Sequence, residues 1–279
     1  MVQTLLQHVH AFAAEIVRLS IWLAILSMIF VPLERLFPLH RRGIARKQIL
    51  NDVAYYFISG ICPALLMSLP LALVAWTAHR LIPRDALAAV AGAPFWVRAL
   101  GAFLAMEIGY YWGHRWTHEI PFLWRLHAVH HSAREIDFLV STHAHPVDTA
   151  FSHMCSMIPI FALGLSAPAA ESGSVLIVLL NLTAQCWGYF LHANLRVRLG
   201  PLEWLIATPA FHHWHHTLHA PLDRNFSAML PCLDRLFGTH HLPRNAWPAS
   251  YGIDSPMPES LSGQLTQPLL AARRTSPAA

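Results

Sequence analysis

The amino-acid sequence predicts an all-α, polytopic membrane helical protein with four to five membrane segments and a His-rich cap on the cytosolic side. Charged residues make up only 12% of the 279 residues and hydrophobic residues make up 55%, whereas soluble domains carry about 25% charged residues. The apolar residues form long uncharged stretches, which is typical of membrane spans. Histidine is also unevenly placed, because 16 of the 20 histidines lie between His114 and His241.

Five apolar stretches are predicted to form the membrane segments, because a helix needs about 20 residues to cross a bilayer. They cover residues 16–37, 53–78, 94–112, 149–170 and 172–195. Pro63 and Pro70 predict kinks in the second segment. The last two segments form either a full transmembrane hairpin or a shallower re-entrant pair around a turn that holds Gly164, Pro168 and Glu171.

This pattern divides the chain into three regions. Residues 1–93 hold the N-terminal transmembrane helices, and residues 94–250 form a His-rich domain that includes a membrane hairpin at 146–195. Residues 251–279 are rich in Ser, Pro, Gln and Ala, and the last two dozen are predicted to form a disordered tail.

Basic residues predict the orientation of the chain. Arg41, Arg42, Arg46 and Lys47 follow the first segment, and loops rich in Lys and Arg stay in the cytoplasm. Counting crossings from this loop places the N-terminus outside and every histidine motif on the cytoplasmic face. The preference for arginine over lysine, together with abundant Ala and Leu, suggests a bacterial inner (cell) membrane.

Composition argues against cysteine-based sites and against nucleic acid as a partner. The four cysteines are widely separated and contain no C-x-x-C pair, so neither a disulfide framework nor a thiolate zinc site is expected. No run of Lys and Arg of the kind that binds nucleic acid is present, so nucleic acid is not an expected partner.

Three histidine motifs predict a metal centre. One is H-x-x-x-H and two are H-x-x-H-H, spacings that place the imidazoles on one face of a helix. Eight ligands exceed what one ion uses, so two neighbouring ions are predicted, and imidazole alone suits iron, zinc, copper or nickel. Two further candidates stand where a helix meets the cytoplasmic face. The candidate ligands are His114, His118, His127, His130, His131, His145, His192, His212, His215 and His216.

Carboxylates near these motifs are candidates for supporting roles. Glu107 lies on the helical stripe of the first motif, where it would either accept a hydrogen bond from a ligand imidazole or pair with an arginine. Asp223 is a further candidate, together with Asp148 and Asp234. The remaining histidines of the polar regions are expected to support the ligands or lie on the surface, and His153 is expected to pack within the fourth segment. No catalytic side chain is expected beyond the metal centre.

The motifs resemble those of the fatty acid hydroxylase superfamily, also called the sterol desaturase family, in its bacterial form. The similar stretches run in the family's order from Tyr110 to Thr239, and they read Y-Y-W-G-H-R-W-T-H, L-W-R-L-H-A-V-H-H-S, F-L-H-A-N, T-P-A-F-H-H-W-H-H, D-R-N-F and L-D-R-L-F-G-T. The resemblance implies a helical membrane fold, two iron ions held by the motif histidines, and an O₂-dependent oxidoreductase. It also implies a lipid substrate and an external electron donor, a small cytochrome or ferredoxin.

The predicted function is therefore hydroxylation or desaturation of a lipid, such as a fatty acyl chain or a sterol, by a membrane-bound di-iron enzyme. Two alternatives remain open on the residues alone. A paired-zinc membrane hydrolase would use the same imidazoles to activate water, with zinc in place of iron. A metal transporter or storage protein would place its ligands near the middle of the bilayer, whereas the motifs here lie outside the apolar segments.

Overall fold

The computed structural model describes residues 2–41, 47–165 and 172–270, and within these ranges the chain is helical with no β-strand. This confirms the predicted all-α class. The helices are α1 Val2–Leu36, α2 Ile49–Leu81, α3 Arg84–Gly92, α4 Phe95–Glu119, α5 Pro121–His131, α6 Pro146–Ala162, α7 Ser172–His192, α8 Pro209–His215, α9 Pro231–Leu236 and α10 Leu261–Thr266. Short 3₁₀ turns cover Phe138–Thr142 and Gly200–Trp204.

Three helices are long and apolar enough to cross a bilayer, over Leu6–Leu36, Ile49–Ala78 and Val175–His192. Helices α3 and α4 qualify only as a pair, which is bent by 112°, so the predicted third segment belongs to a broken span or a re-entrant loop. Helix α6 has 17 residues, fewer than the roughly 20 that a full span needs. Arg42, Arg46, Pro168 and Glu171 lie outside the described residues.

The apolar surfaces of these helices are exposed, as expected where a bilayer replaces water. Met28, Leu65, Leu69 and Val178 are 69%, 72%, 69% and 63% exposed. A soluble protein rarely exposes contiguous apolar patches of this kind. The pattern is that of an integral membrane protein.

Helix α6 packs against both α2 and α4, and two glycines allow its close approach to α4. A Cβ atom at Gly109 would lie 2.1 Å from the carbonyl oxygen of Cys155, and one at Gly113 would lie 2.6 Å from the Cys155 Cβ. Only glycine fits at such a contact without displacing backbone. The contact brings the histidine-bearing end of α4 next to the start of α6.

Residues 251–270 are folded against the cap, so the structure differs here from the predicted disordered tail. Ser260 caps α10 by accepting a hydrogen bond from the Gly263 amide at 3.2 Å, and Gln264 is fully buried. Arg125 donates a hydrogen bond to the Leu270 carbonyl at 2.7 Å. Polar contacts, rather than an apolar stripe visible in the sequence, hold this segment. Residues 271–279 lie outside the described residues.

Candidate metal centre

Nine of the ten predicted ligands come together in two adjoining groups where α4, α5, α7 and α8 meet. In each group, one ring nitrogen per histidine lies within 4.8 Å of all the others. Metal–imidazole bonds of about 2.1 Å place opposite ligand atoms about 4.2 Å apart, so each group has nearly the size of one coordination sphere. The first group is His114, His118, His127, His131 and His215, and the second is His130, His192, His212 and His216.

The two groups share a wall. His130 and His131 are consecutive on α5 and point into different groups. The rings of His131 and His216 are stacked with centroids 4.4 Å apart. Ions held by the two groups would therefore be neighbours, which supports a dimetal arrangement over two independent sites.

The turn formed by residues 223–226 orients three ligands of the first group. The carboxylate of Asp223 and the carbonyls of Arg224 and Phe226 accept hydrogen bonds from Nδ1 atoms, at 2.9 Å from His118, 2.7 Å from His215 and 2.8 Å from His114. Asp223 and Asn225 adopt left-handed φ angles of 55° and 61°, which Asp and Asn tolerate better than most residues. The D-R-N-F motif thus supplies a carboxylate and two carbonyls.

Helix α6 orients a fourth ligand of the first group. The Nδ1 atom of His127 donates to Asp148 Oδ2 at 3.0 Å, and both side chains are buried. A carboxylate on the outer nitrogen fixes the ring orientation and raises the basicity of the nitrogen that faces the metal. Asp148 and Asp223 thus each accept a hydrogen bond from a grouped histidine, and their supporting role at a metal stays a prediction.

The second group contains an arrangement that favours a cation. The Nδ1 atom of His130 donates to the His143 carbonyl at 3.1 Å, and that of His192 donates to the Gly188 carbonyl at 2.8 Å. A neutral imidazole carries one proton, so both Nε2 atoms present lone pairs. These two atoms face each other at 3.2 Å, which is repulsive unless a positive ion lies beside them.

In the first group, three Nε2 atoms have no hydrogen-bond partner in the described part of the chain. The Nε2 atoms of His114, His118 and His215 are buried and make no hydrogen bond within the described part of the chain. Buried polar atoms are costly when unpaired. Together with the opposed lone pairs of the second group, these orphaned atoms show that the residues fit metal ions.

Burial favours the neutral form of several grouped histidines. It lowers the pKa of His215 to about 3, an effect that its hydrogen bond to Arg224 opposes and that His127 adds to. Burial, followed by neighbouring histidines, also holds the pKa values of His131 and His216 well below their usual range. The neutral imidazole is the form that binds metals.

Two predicted site residues lie elsewhere. His145 caps α6, since its Nδ1 accepts a hydrogen bond from the Val147 amide at 3.2 Å and its Nε2 donates to the Leu265 carbonyl at 3.1 Å. These hydrogen bonds occupy both ring nitrogens, and His145 belongs to neither group. Glu107 accepts hydrogen bonds at Oε2 from the amides of Met229 and Leu230 at 2.8 and 3.0 Å. Among the described residues, it makes no hydrogen bond or ion pair with either of its predicted partners, a ligand imidazole or an arginine.

Two other histidines of the cap are buried and hydrogen-bonded. His213 accepts from the Tyr251 hydroxyl at 2.8 Å and donates to the Ala193 carbonyl at 3.1 Å. His143 is fully buried and pairs with Asp52 of α2. Nothing in the sequence indicated the His143–Asp52 pair, because it joins positions 91 residues apart.

Asp234 acts through the 223–226 turn rather than through a ligand. Its carboxylate accepts hydrogen bonds from the Phe226 amide at 2.7 Å, the Ser227 amide at 3.0 Å and the Thr239 hydroxyl at 2.7 Å. These contacts fix the position of Phe226, whose carbonyl orients His114.

A cavity of about 520 Å³ leads from the histidines into the membrane helices. Its wall includes His127 of the first group and His130, His192 and His212 of the second. Farther from the metal ligands, apolar side chains of α2 and α6 line it, among them Met67, Leu71 and Met157. A cavity with one end at the ligands and an apolar body suits a chain-like lipid.

The sequence profile of the family described as fatty acid hydroxylase matches residues 99–239. The match covers half of the chain and contains all nine grouped histidines. The chain belongs to the fatty acid hydroxylase family. This confirms the resemblance seen in the histidine motifs, and it extends the matching region into the first half of α4, to residue 99.

Curated members of the fatty acid hydroxylase family are similar to this chain over its central part. Ornithine lipid hydroxylase OlsE of Rhizobium tropici is 32% identical over 170 residues, 61% of this chain and 49% of that protein. Alkylglycerol monooxygenase is 33% identical over 138 residues in Xenopus tropicalis (49% and 29%) and 36% over 139 residues in Danio rerio (50% and 29%). The matches span half or less of these relatives' lengths. No solved structure matches the chain.

Proposed function

We propose that this family member is a membrane-bound, O₂-dependent oxidoreductase that uses two iron ions to hydroxylate or desaturate a lipid. The proposal rests chiefly on the opposed Nε2 atoms of His130 and His192, 3.2 Å apart, which also line the lipid-sized cavity. The names of the similar proteins, a lipid hydroxylase and alkylglycerol monooxygenases, favour the same class of reaction.

The nine grouped histidines would hold the irons, and when bound the pair would supply the electrons that split O₂ and oxidise a C–H bond. The chain's own residues position and protect this chemistry. Asp148 and Asp223 orient ligand rings, and the cavity wall places one carbon of the substrate beside the ligands while excluding bulk water. Zinc would fit the same imidazoles but would not supply electrons.

Two external partners complete the proposal. The lipid would enter from the bilayer, since the cavity is formed between membrane helices. Electrons would come from a separate small carrier, a cytochrome or ferredoxin. The basic residues near Arg41 and Lys47 favour a cytoplasmic position for the cap in a bacterial inner membrane, and residues 94–250 would form its catalytic domain.

The test combines metal analysis with lipid analysis. Protein purified from iron-replete cells is expected to contain about two irons per chain, as metal content and Mössbauer spectra would show. Lipids from cells that express the wild type are expected to contain an oxidised species that depends on O₂. Cells that express His215→Ala should lack this product, and His8→Ala should retain it, because His8 is exposed on α1 far from the ligands in sequence. Zinc alone, with activity independent of O₂, would instead favour a paired-zinc hydrolase.

A further inference from the structure

Polar side chains form a band along the membrane part of the cavity. The band consists of residues of α6 and α7 that line the same cavity, namely Ser152, His153, Ser156, Asn181 and Gln185. Polar groups are costly at membrane depth unless they find a partner. An acyl chain alone would offer them none.

The band lies at a defined depth. His153 follows Asp148 by five residues and Gln185 precedes His192 by seven, and both reference residues stand at the histidine groups. At 1.5 Å per residue these separations correspond to about 8 and about 10 Å along the helices. Helices α6 and α7 thus present His153 and Gln185 at similar depth.

The members of the band differ in how much of their hydrogen-bonding capacity is used. Ser156 donates to the Ser152 carbonyl at 3.0 Å, and Asn181 donates to the Ile177 carbonyl at 2.9 Å. Within the described chain, the side chains of His153 and Gln185 make no hydrogen bond although both line the cavity. A neutral imidazole and an amide each offer a donor and an acceptor.

The chemistry of the band selects a class of ligand. A phosphate or carboxylate would need a cation, and the one arginine on the cavity wall, Arg18, is already paired with Glu15 at 2.9 Å. A plain hydrocarbon would leave His153 and Gln185 unpaired. A neutral group that both donates and accepts, a secondary amide or a hydroxyl, satisfies both residues.

We propose that the lipid substrate carries a secondary amide or hydroxyl that His153 and Gln185 bind. This polar group lies about 10 Å from the metal ligands, and its position selects the carbon that is oxidised. The inference rests on the proposed function, because it assigns the substrate class of the same site. It makes His153 and Gln185 specificity-determining residues, and neither needs to touch the reacting carbon.

The test measures binding without turnover. A long-chain secondary amide, and the analogue with methylene groups in place of the amide, compete for the anaerobic holoprotein in detergent micelles, with bound lipid read by native mass spectrometry. The wild type is expected to prefer the amide by about tenfold, the typical value of a hydrogen bond that would otherwise be unmade. The double variant His153→Leu, Gln185→Leu should lose this preference.

Two controls separate the outcomes. Thr183→Val removes a hydroxyl from α7 outside this cavity and should keep the preference for the amide. His153→Gln keeps a donor and an acceptor at this position, so it should retain part of the preference that the double leucine variant loses. Equal binding of both lipids by the wild type, or an unchanged preference in the double variant, would overturn the inference. An amide preference without any O₂-dependent product would instead contradict the proposed function and leave the binding inference intact.

Discussion

Asp148 accepts a hydrogen bond from His127 with both side chains 5% exposed, whereas Asp223 makes the equivalent contact to His118 from a side chain that is 65% exposed. The two carboxylates have the same chemistry and differ in access to water. Water can replace an exposed acceptor but cannot easily replace a buried one.

This difference predicts unequal effects of removing the two charges. Asp148→Asn is expected to weaken metal binding by 10–100-fold, the usual effect of losing the outer partner of a ligand histidine. Asp223→Asn should weaken it less. Anaerobic titration of metal-free protein with Fe(II) measures both, with Asp254→Asn on the exposed C-terminal surface as the control. Equal losses for Asp148 and Asp223 would contradict the burial argument.

The two histidine groups predict a change in metal stoichiometry. His215→Ala should deplete the first group and His212→Ala the second, because each removes a nitrogen that only one group uses. His212→Ala leaves three ligands in its group, fewer than the four that an ion needs, so this variant is expected to retain about one iron where the wild type holds two. His215→Ala leaves four of five ligands and is expected to hold the iron of the first group more weakly. Metal analysis with Mössbauer spectra checks this, and His8→Ala should match the wild type. Full iron in both variants would refute the assignment.

The glycine contact between α4 and α6 predicts a large effect of one methyl group. Gly109→Ala would place a Cβ atom 2.1 Å from the Cys155 carbonyl oxygen, and backbone cannot move away cheaply. We expect a lower midpoint of thermal unfolding, with a cost of about 1–3 kcal/mol or more, as for other overpacked cores. Gly92→Ala is the matched control, because nothing lies within 4 Å of its added Cβ atom. Similar midpoints for the two variants would show that α4 and α6 are not in close contact.

The folded C-terminal segment predicts that α10 stabilises the cap. Removing residues 257–279 would delete the Leu265 carbonyl that accepts from His145, and the Glu259 carbonyl that accepts from Asn51 at 2.7 Å. Faster limited proteolysis of the cap is expected. Digestion of the truncated protein at the wild-type rate would contradict this role.

The ligand set was largely readable from local spacing. Residues at i, i+3 and i+4 share a helix face whatever the rest of the chain does, and His127, His130 and His131 illustrate the rule on α5. They also show its limit, since His130 joins a different group from His127 and His131. His145 failed as a predicted ligand for a related reason. Its position at the start of α6 directs its ring to the backbone amide that an N-cap residue binds.

Composition and spacing alone predicted the helical membrane class, a candidate dimetal site and nearly all of the imidazoles that meet there, because apolar stretches and helix faces are properties of neighbouring residues. Folding in three dimensions assigned each imidazole to its group, paired His127 with Asp148, and fitted Gly109 against Cys155. It also placed His153 and Gln185 along one cavity. These relationships join distant residues, and many use backbone carbonyls that every residue possesses, so no local pattern could disclose them.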